Sequence, residues 1–196
     1  MRKTEIYSIP LCALLVLSGC NKNTIIESTG SEETEGNVSS VSVSINADGA
    51  INITCDGTDV TSEDSTLQVQ NGIITITKPG TYAFSGTLDG GIVVNSASKG
   101  DVNILLNGIT INASQNAAIF VQEADNTVIE ASEGTVNTLN DAAEYVLNED
   151  EEPSAAIFSK DDLVIQGKGK LVINGNYNDG ITSKDDLEIH NASIVI

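Results

Sequence analysis

Two segments of the chain, IFSKDDLVI (residues 157–165) and ITSKDDLEI (residues 181–189), decide the fold. They align without a gap, residue 157 with residue 181, and the letters SKDDL are identical in both. In each segment, apolar residues alternate with polar ones on either side of a short acidic turn, as in two half-buried strands. A repeat of roughly 20 to 30 residues built from short strands and Gly/Asn turns is typical of a solenoid.

The same pattern extends upstream of the duplicated segments. AIFV (residues 118–121) resembles AIFS (residues 156–159), and the longer offset between these two equals one period plus the acidic insertion at residues 141–153. Phe120 and Phe158 share a repeat position, so we predict that they pack together. Because no helical pattern separates the strands, we predict parallel strands that stack on one another. This stacking predicts three ladders of inward side chains: Ile119–Ile157–Ile181, Leu163–Leu187 and Ile165–Ile189.

The first twenty residues have the pattern of an export signal. Arg2 and Lys3 form a basic start, residues 9–17 are apolar, and LSGC ends the segment at Cys20. The apolar run is shorter than a membrane-spanning helix requires. LSGC resembles the lipobox of bacterial lipoproteins, in which Cys20 would be lipidated and become the first mature residue. The alternative is an ordinary secretion signal with a chance cysteine.

Composition divides the chain into four parts. Residues 1–19 are predicted to be a lipoprotein signal peptide, and residues 20–40, rich in Ser, Thr, Glu and Gly, a flexible tether. Residues 41–79 are predicted to form an N-terminal β segment, and residues 80–196 the repeat domain. The chain stops within a predicted strand at residues 194–196. Because a solenoid needs a polar terminal cap, we expect the repeat domain to be truncated at its C-terminus.

The charge balance excludes several classes of partner and cofactor. Nine Lys and Arg residues face 28 Asp and Glu residues, which gives a formal net charge of -19. Such an acidic surface repels phosphate backbones, so nucleic acid is excluded as a partner. Three cysteines and one histidine are too few for haem or cysteine-rich zinc chemistry. A hard cation that prefers oxygen ligands, such as calcium, remains.

Five blocks within residues 73–196 occur in order: GTYAFSGTLDGGIVV (80–94), LLNGITI (105–111), AAIFVQ (117–122), AAIFSKDDLVIQGKGKLVINGNYNDGI (155–181) and SKDDLEI (183–189). These blocks resemble the bacterial carbohydrate-binding parallel β-helix family. This resemblance implies a shape related to pectate lyases, bound calcium, and binding of cellulose or acidic pectic polysaccharide at the cell surface. We therefore predict an all-β fold: a right-handed parallel β-helix with about 24 residues per rung, preceded by an N-terminal β region.

The duplicated acidic residues form a candidate metal site. If the two SKDDL segments are in register, like charges lie about 4.8 Å apart and repel by about 3.5 kcal/mol at an effective dielectric constant of about 20, or about 0.9 kcal/mol in water. Either these carboxylates splay into solvent or a cation lies between them. Calcium takes roughly six to eight oxygen ligands. The candidate ligands are Asp161, Asp162, Asp185, Asp186, Asp179, Asn178 and Asp141.

Four side chains are candidates for contacts with sugar. Tyr145 in the insertion and Tyr177 at a predicted corner could offer aromatic platforms. Lys160 and Lys184 occupy the same repeat position and could contact the carboxylate of a uronate. The alternative for both lysines is that they neutralise the neighbouring aspartates.

Three function classes fit these features. The first is a surface-anchored, non-catalytic carbohydrate-binding protein. The second is an enzyme: a calcium-dependent lyase with Lys160 or Lys184 as its base, or a hydrolase with paired carboxylates such as Asp161 and Asp185. The third is an adhesin that binds protein. Because Arg2 is the only arginine and lies in the predicted signal, a strongly basic catalytic side chain is missing from the mature chain.

We expect the first class, with no catalytic residues and with calcium as the cofactor. The predicted partner is a polysaccharide resembling cellulose or polygalacturonate. Contact with a membrane is expected through the lipid anchor only, on the extracellular face of a bacterial membrane.

The lipobox generates a direct prediction. Replacing Cys20 with Ala removes the sulfur that accepts the lipid, so Cys20→Ala is expected to move the protein from the membrane fraction to the soluble fraction. Immunoblots of fractionated cells measure this distribution. Unchanged partitioning of the variant would contradict lipidation at Cys20.

Overall fold

The computed structural model describes residues 44–148 and 152–196. The predicted signal peptide, Cys20, the predicted tether and the acidic residues 149–151 lie outside this part of the chain. All regular elements of the described residues are β-strands, so the all-β prediction is confirmed. In the described ranges no helix is long and apolar enough to span a membrane.

The larger of two sheets has ten strands, and its longest strand, β7, is central to it. β7 pairs in parallel with β5 on one side, while its first half pairs with β9 and its second half with β10. The path through this sheet is β15-β12-β9-β7-β10-β13-β16, with β5, β1 and β2 attached through β7. Its strands are β1 (Ile51–Gly57), β2 (Asp59–Ser62), β5 (Gly80–Leu88), β7 (Asp101–Asn112), β9 (Asn126–Ala131), β10 (Val136–Asn140), β12 (Leu163–Gln166), β13 (Lys170–Asn174), β15 (Leu187–His190) and β16 (Ser193–Val195).

The smaller sheet has six strands in the order β14-β11-β8-β6-β4-β3. Its first four strands pair in parallel with one another and with β4, and β3 closes one edge as an antiparallel hairpin partner of β4. These strands are β3 (Gln68–Gln70), β4 (Ile73–Ile76), β6 (Gly91–Asn95), β8 (Ile119–Glu123), β11 (Ala155–Ser159) and β14 (Asp179–Ser183).

Alternation of side chains decides which face each strand buries. In β1, Ile53 and Cys55 are buried while Asn52 and Thr54 are exposed. Burial raises the pKa of the Cys55 thiol to about 11, because the thiolate loses its hydration. This cysteine is therefore a neutral core residue at physiological pH.

The predicted register of the ladders is confirmed, whereas their burial stops at β15, where Leu187 is 42% and Ile189 51% exposed. Ile157 pairs with Ile119 on one side and with Ile181 on the other. The remaining two ladders form between β12 and β15, where the pairs are Leu163↔Leu187 and Ile165↔Ile189. One buried apolar cluster draws on both sheets and includes Ile53, Phe84, Ile104, Ile119, Ile157 and Leu163.

The prediction of a right-handed parallel β-helix with about 24 residues per rung is wrong. The described residues form two sheets that mix parallel and antiparallel pairs, with antiparallel hairpins at β1–β2 and β3–β4. The offset between parallel partners is also not uniform, because it is more than twice as large at Ile119↔Ile157 as at Ile73↔Gly91. The spacing of the duplicated segments holds only locally, for β11 with β14 and for β12 with β15. These segments therefore describe two local strand pairs and not a repeat of the whole chain.

A buried carboxylate fixes the start of the described chain against the larger sheet. Glu130 in β9 is 8% exposed. It accepts hydrogen bonds from Ser44 Oγ at 3.0 Å, Ile45 N at 2.7 Å and Gln166 Nε2 at 2.8 Å. These three donors satisfy a charge that would be costly to bury alone.

Replacing this carboxylate with an amide tests its role. In Glu130→Gln an NH₂ group replaces one of the acceptor oxygens that face these donors, so the free energy of unfolding should fall by about 1 to 3 kcal/mol. The amide proton of Ile45 should also exchange faster with solvent. Urea unfolding and hydrogen exchange measure the two effects.

Glu133→Gln is the matched control. Glu133 is exposed and pairs with the equally exposed Lys168 at 3.4 Å, so its replacement should cost less than about 1 kcal/mol. Equal losses of stability in the two variants would contradict the special role of Glu130.

Candidate functional site

The two SKDDL segments form neighbouring turns between the sheets. The first turn joins β11 to β12, and the second joins β14 to β15. Parallel pairing aligns Ser159 with Ser183 and Leu163 with Leu187, so each position of one turn lies beside the same position of the other. We name residues 160–162 and 184–186 the acidic turns.

Three carboxylates converge between the acidic turns. Carboxylate oxygens of Asp162, Asp185 and Asp186 lie within 4.8 Å of one another. The backbone N–H of Asp186 donates a hydrogen bond to Asp162 Oδ1 over 3.3 Å. Asp162 is half-buried, and the other two residues are exposed. We call this group the carboxylate cluster; it presents oxygen ligands at the protein surface.

Serine hydroxyls at the ends of β11 and β14 hold the acidic turns in place. Ser159 Oγ donates to the carbonyl oxygen of Asp161 at 2.6 Å, and Ser183 Oγ donates to the same oxygen at 3.0 Å. The N–H of Lys184 donates to the carbonyl of Ser159 at 2.9 Å. Because the turns are bonded to each other, the carboxylate cluster is positioned by backbone structure and not by its side chains alone.

The remaining predicted metal ligands lie outside the carboxylate cluster. The Asp161 carboxylate accepts a hydrogen bond from the N–H of Ala124 at 2.8 Å. Asn178 Nδ2 donates to Asp179 Oδ2 at 3.1 Å, so these two predicted ligands pair with each other.

Asp141, also a predicted ligand, is a buried structural anchor with 3% of its surface exposed. Its carboxylate accepts hydrogen bonds from Tyr145 Oη at 2.7 Å, from Asn176 N at 2.5 Å and from Tyr177 N at 3.4 Å. These donors join the insertion after β10 to the loop after β13. The bonds account for the role of this carboxylate without a metal ion.

The two predicted aromatic platforms stack on each other. The ring centroids of Tyr145 and Tyr177 are 4.1 Å apart, with an interplanar angle of 15°. The pKa of Tyr145 is raised, first because the ring is buried and then because its hydroxyl donates to Asp141. Tyr177 covers Tyr145 with one ring face and is itself 44% exposed. Sequence reasoning selected both residues but did not predict that they pair.

The predicted lysines begin the acidic turns, directly after β11 and β14. Lys184 Nζ is 3.4 Å from Glu152 Oε2 and 5.9 Å from the centroid of the Phe158 ring. Lys160 is half-buried. Phe158 packs edge to face on Phe120 at 5.8 Å, and both rings are almost fully buried, which confirms the predicted packing of this pair.

A second concave surface was not predicted from the sequence. It is a groove of about 840 Å³ on the outer face of β3, β4, β6 and β8, walled by the β3–β4 hairpin, by residues 113–117 and by residues 146–148. Amide side chains recur along it, so we name it the amide groove. No sequence motif marks it, because its walls and floor come from four separate stretches of the chain.

Comparison with known proteins gives the relationship of the chain. A family model described as "Carbohydrate-binding domain-containing protein" matches residues 70–196. A protein of Acetivibrio thermocellus with the same description is 32% identical over 199 residues; the alignment covers 99% of this chain and 65% of that protein.

A solved structure is also similar. It is described as the polysaccharide lyase-like protein from C. thermocellum, in a gadolinium derivative, and it superposes with a TM-score of 0.71 at 36% identity. The similarity covers 74% of this chain and 60% of that one, so this chain spans less than two thirds of either relative. From the match of the family model to most of its length, the chain belongs to the family of carbohydrate-binding domain-containing proteins.

Proposed function

We propose that this protein is a non-catalytic binder of plant cell-wall polysaccharide, acidic and pectic or cellulosic, and that it uses bound calcium to hold acidic chains. The observation that carries this proposal is the convergence of Asp162, Asp185 and Asp186 within 4.8 Å. Membership of a carbohydrate-binding family supports the general class of ligand.

The chemistry of the carboxylate cluster fits calcium. Calcium prefers hard oxygen ligands and accepts carboxylates together with backbone oxygens and water. The three carboxylates would supply the protein ligands and would cancel their mutual repulsion by sharing a divalent cation. The structural neighbour is described as a gadolinium derivative, and lanthanide ions share the preference of calcium for oxygen ligands.

An exposed calcium ion would also explain how a very acidic protein binds an acidic glycan. With a net charge of -19, the chain repels polyuronates at long range. Water ligands on the exposed side of the ion are replaceable by the carboxylate of a uronate. Lys184 directly precedes Asp185 in the second acidic turn, and its charge is paired with Glu152 at 3.4 Å.

We further propose that Cys20 anchors the domain on the extracellular face of a bacterial membrane. The support is the LSGC motif followed by the polar residues 21–40, whose length allows the domain to stand away from the lipid. An anchored binder holds the cell against its polysaccharide and needs no turnover.

The calcium proposal predicts a melting shift that depends on the cluster. A ligand that binds only the folded state, at about 100 times its dissociation constant, adds about 2.7 kcal/mol of stability. For a domain of this size, calcium should therefore raise the melting temperature of the wild type by several degrees over EDTA. In the double variant Asp162→Asn/Asp186→Asn, calorimetry should show no calcium-dependent shift, and binding to polygalacturonate should weaken.

A matched control is available in the hairpin β1–β2. Asp56 and Asp59 are exposed and directly paired across the two strands, and they belong to no group of three acidic side chains within 4.8 Å among the described residues. Asp56→Asn/Asp59→Asn therefore removes the same charge at a site without such a cluster. This control should keep the calcium shift. Identical melting of the wild type in calcium and in EDTA would exclude the calcium site.

The second candidate function is a polysaccharide lyase, favoured by the description of the structural neighbour as polysaccharide lyase-like. Lys160 and Lys184 are the available bases. Lys184 is paired with Glu152 at 3.4 Å, so its amine would have to leave this ion pair before it could act as a base.

We therefore expect no turnover of polygalacturonate. Incubation with calcium should produce neither unsaturated uronate ends, followed by ultraviolet absorbance, nor new reducing ends. Product that scales with protein and disappears in Lys160→Ala or Lys184→Ala would establish the lyase instead.

A further inference from the structure

The amide groove differs from the rest of the protein surface in charge. The chain as a whole carries a net charge of -19, yet no ionisable side chain lines the groove within the described residues 44–148 and 152–196. Within those ranges its lining therefore offers a cation no carboxylate and an anion no lysine. A ligand that fits this surface is uncharged and forms neutral hydrogen bonds.

The side chains of the groove suit the hydroxyl groups of sugars. Gln68, Gln70 and Gln115 are exposed and line the groove. Each amide offers a carbonyl acceptor and two N–H donors, and a sugar hydroxyl both donates and accepts. Carboxylates only accept and lysines only donate, so amides match neutral hydroxyls better than either.

The floor of the groove repeats at a spacing that suits a glycan chain. Neighbouring strands lie about 4.8 Å apart, so four strands span about 14 Å. An extended β-linked pyranose chain advances, per sugar, by a distance similar to the spacing of neighbouring strands. A chain laid across the strands would therefore meet one floor residue per sugar. The register places Gln68, Thr75 and Val93 in one such row, which ends at Phe120, a ring that is only 2% exposed.

Backbone contacts hold both walls of the groove before any ligand binds. In the hairpin wall, Asn71 and Gly72 both have positive φ, at 52° and 76°, as in the type I′ turn that suits a two-residue hairpin. In the opposite wall, the N–H of Val146 donates to the carbonyl of Gln115 at 2.7 Å. A preformed groove loses less entropy when it binds an extended chain.

We propose that the amide groove binds an uncharged β-linked glycan chain, laid across β3, β4, β6 and β8, without calcium. This inference rests on the proposed carbohydrate-binding function and gives it a second site, for neutral rather than acidic chains. The two sites share no residues. The carboxylate cluster lies in the acidic turns that follow β11 and β14, and the groove lies on β3, β4, β6 and β8 of the same sheet.

The test uses cellohexaose, an uncharged β-1,4-linked hexasaccharide, in isothermal titration calorimetry with EDTA present. Wild-type protein should bind it. Gln70→Ala/Gln115→Ala removes one amide from each wall and should weaken binding by about tenfold or more. Both side chains are exposed, so the melting temperature should not change.

Asn52→Ala/Asn95→Ala is the matched control, since both asparagines are exposed and neither lines the groove. It should bind cellohexaose like the wild type, and so should Asp162→Asn/Asp186→Asn. Absence of binding, a need for calcium, or equal affinity of the groove variant and the wild type would each overturn the inference.

Polygalacturonate with calcium, titrated into the same samples, separates the two proposals. Binding of polygalacturonate without binding of cellohexaose overturns the groove inference and leaves the calcium-dependent function standing. Binding of cellohexaose alone, lost in the groove variant, supports the groove and overturns the calcium-dependent function. Failure of both glycans overturns both proposals.

Discussion

The parallel register between β12 and β15 is the constraint on which the candidate metal site depends. Leu163 pairs with Leu187 and Ile165 with Ile189, because the apolar residues that precede and follow each turn occupy equivalent positions. That register places Asp162 beside Asp186, where Asp185 joins them, whereas the carboxylate of Asp161 is bonded to the N–H of Ala124. The repulsion within the cluster is therefore imposed by strand pairing, and the hydrogen bonds between the acidic turns restrict how far the carboxylates separate. A divalent cation is the simplest chemical relief for charges held together in this way.

The sequence predicts contacts well wherever a repeat is local. The ladders of isoleucine and leucine, the pairing of Phe120 with Phe158 and the alignment of the acidic turns all follow from matching letters at a fixed spacing. The spacing of the two duplicated segments does not predict a β-helix over the whole chain. The sequence offset between the other paired strands depends on loops of different lengths. The antiparallel hairpins β1–β2 and β3–β4 lie before the repeated region and carry no trace of it.

Contacts between distant parts of the chain could not be predicted from the sequence, for a related reason. Tyr145 and Tyr177 were each recognisable as aromatic residues in loops, but their stacking depends on the buried Asp141, which bonds to both loops. The amide groove likewise needs the strand order of the smaller sheet, which brings residue 68 beside residue 75 and residue 93 beside residue 120. No short motif predicts such contacts between distant segments, because the sequence of each wall has no distinctive pattern by itself.

Binding at the two candidate sites depends differently on salt concentration, because different interactions would hold the ligand at each. Attraction between a calcium ion and a uronate is electrostatic, and on an exposed surface it weakens as salt shortens the screening length. It also competes with the repulsion of the whole chain, whose net charge is -19. Neutral hydrogen bonds in the amide groove have no such dependence, and their strength is limited instead by competition with water. A protein that carries both sites would bind uncharged chains at any ionic strength. It would bind acidic chains only where calcium is available. The calcium concentration, and not the fold, would then decide which polysaccharides are bound.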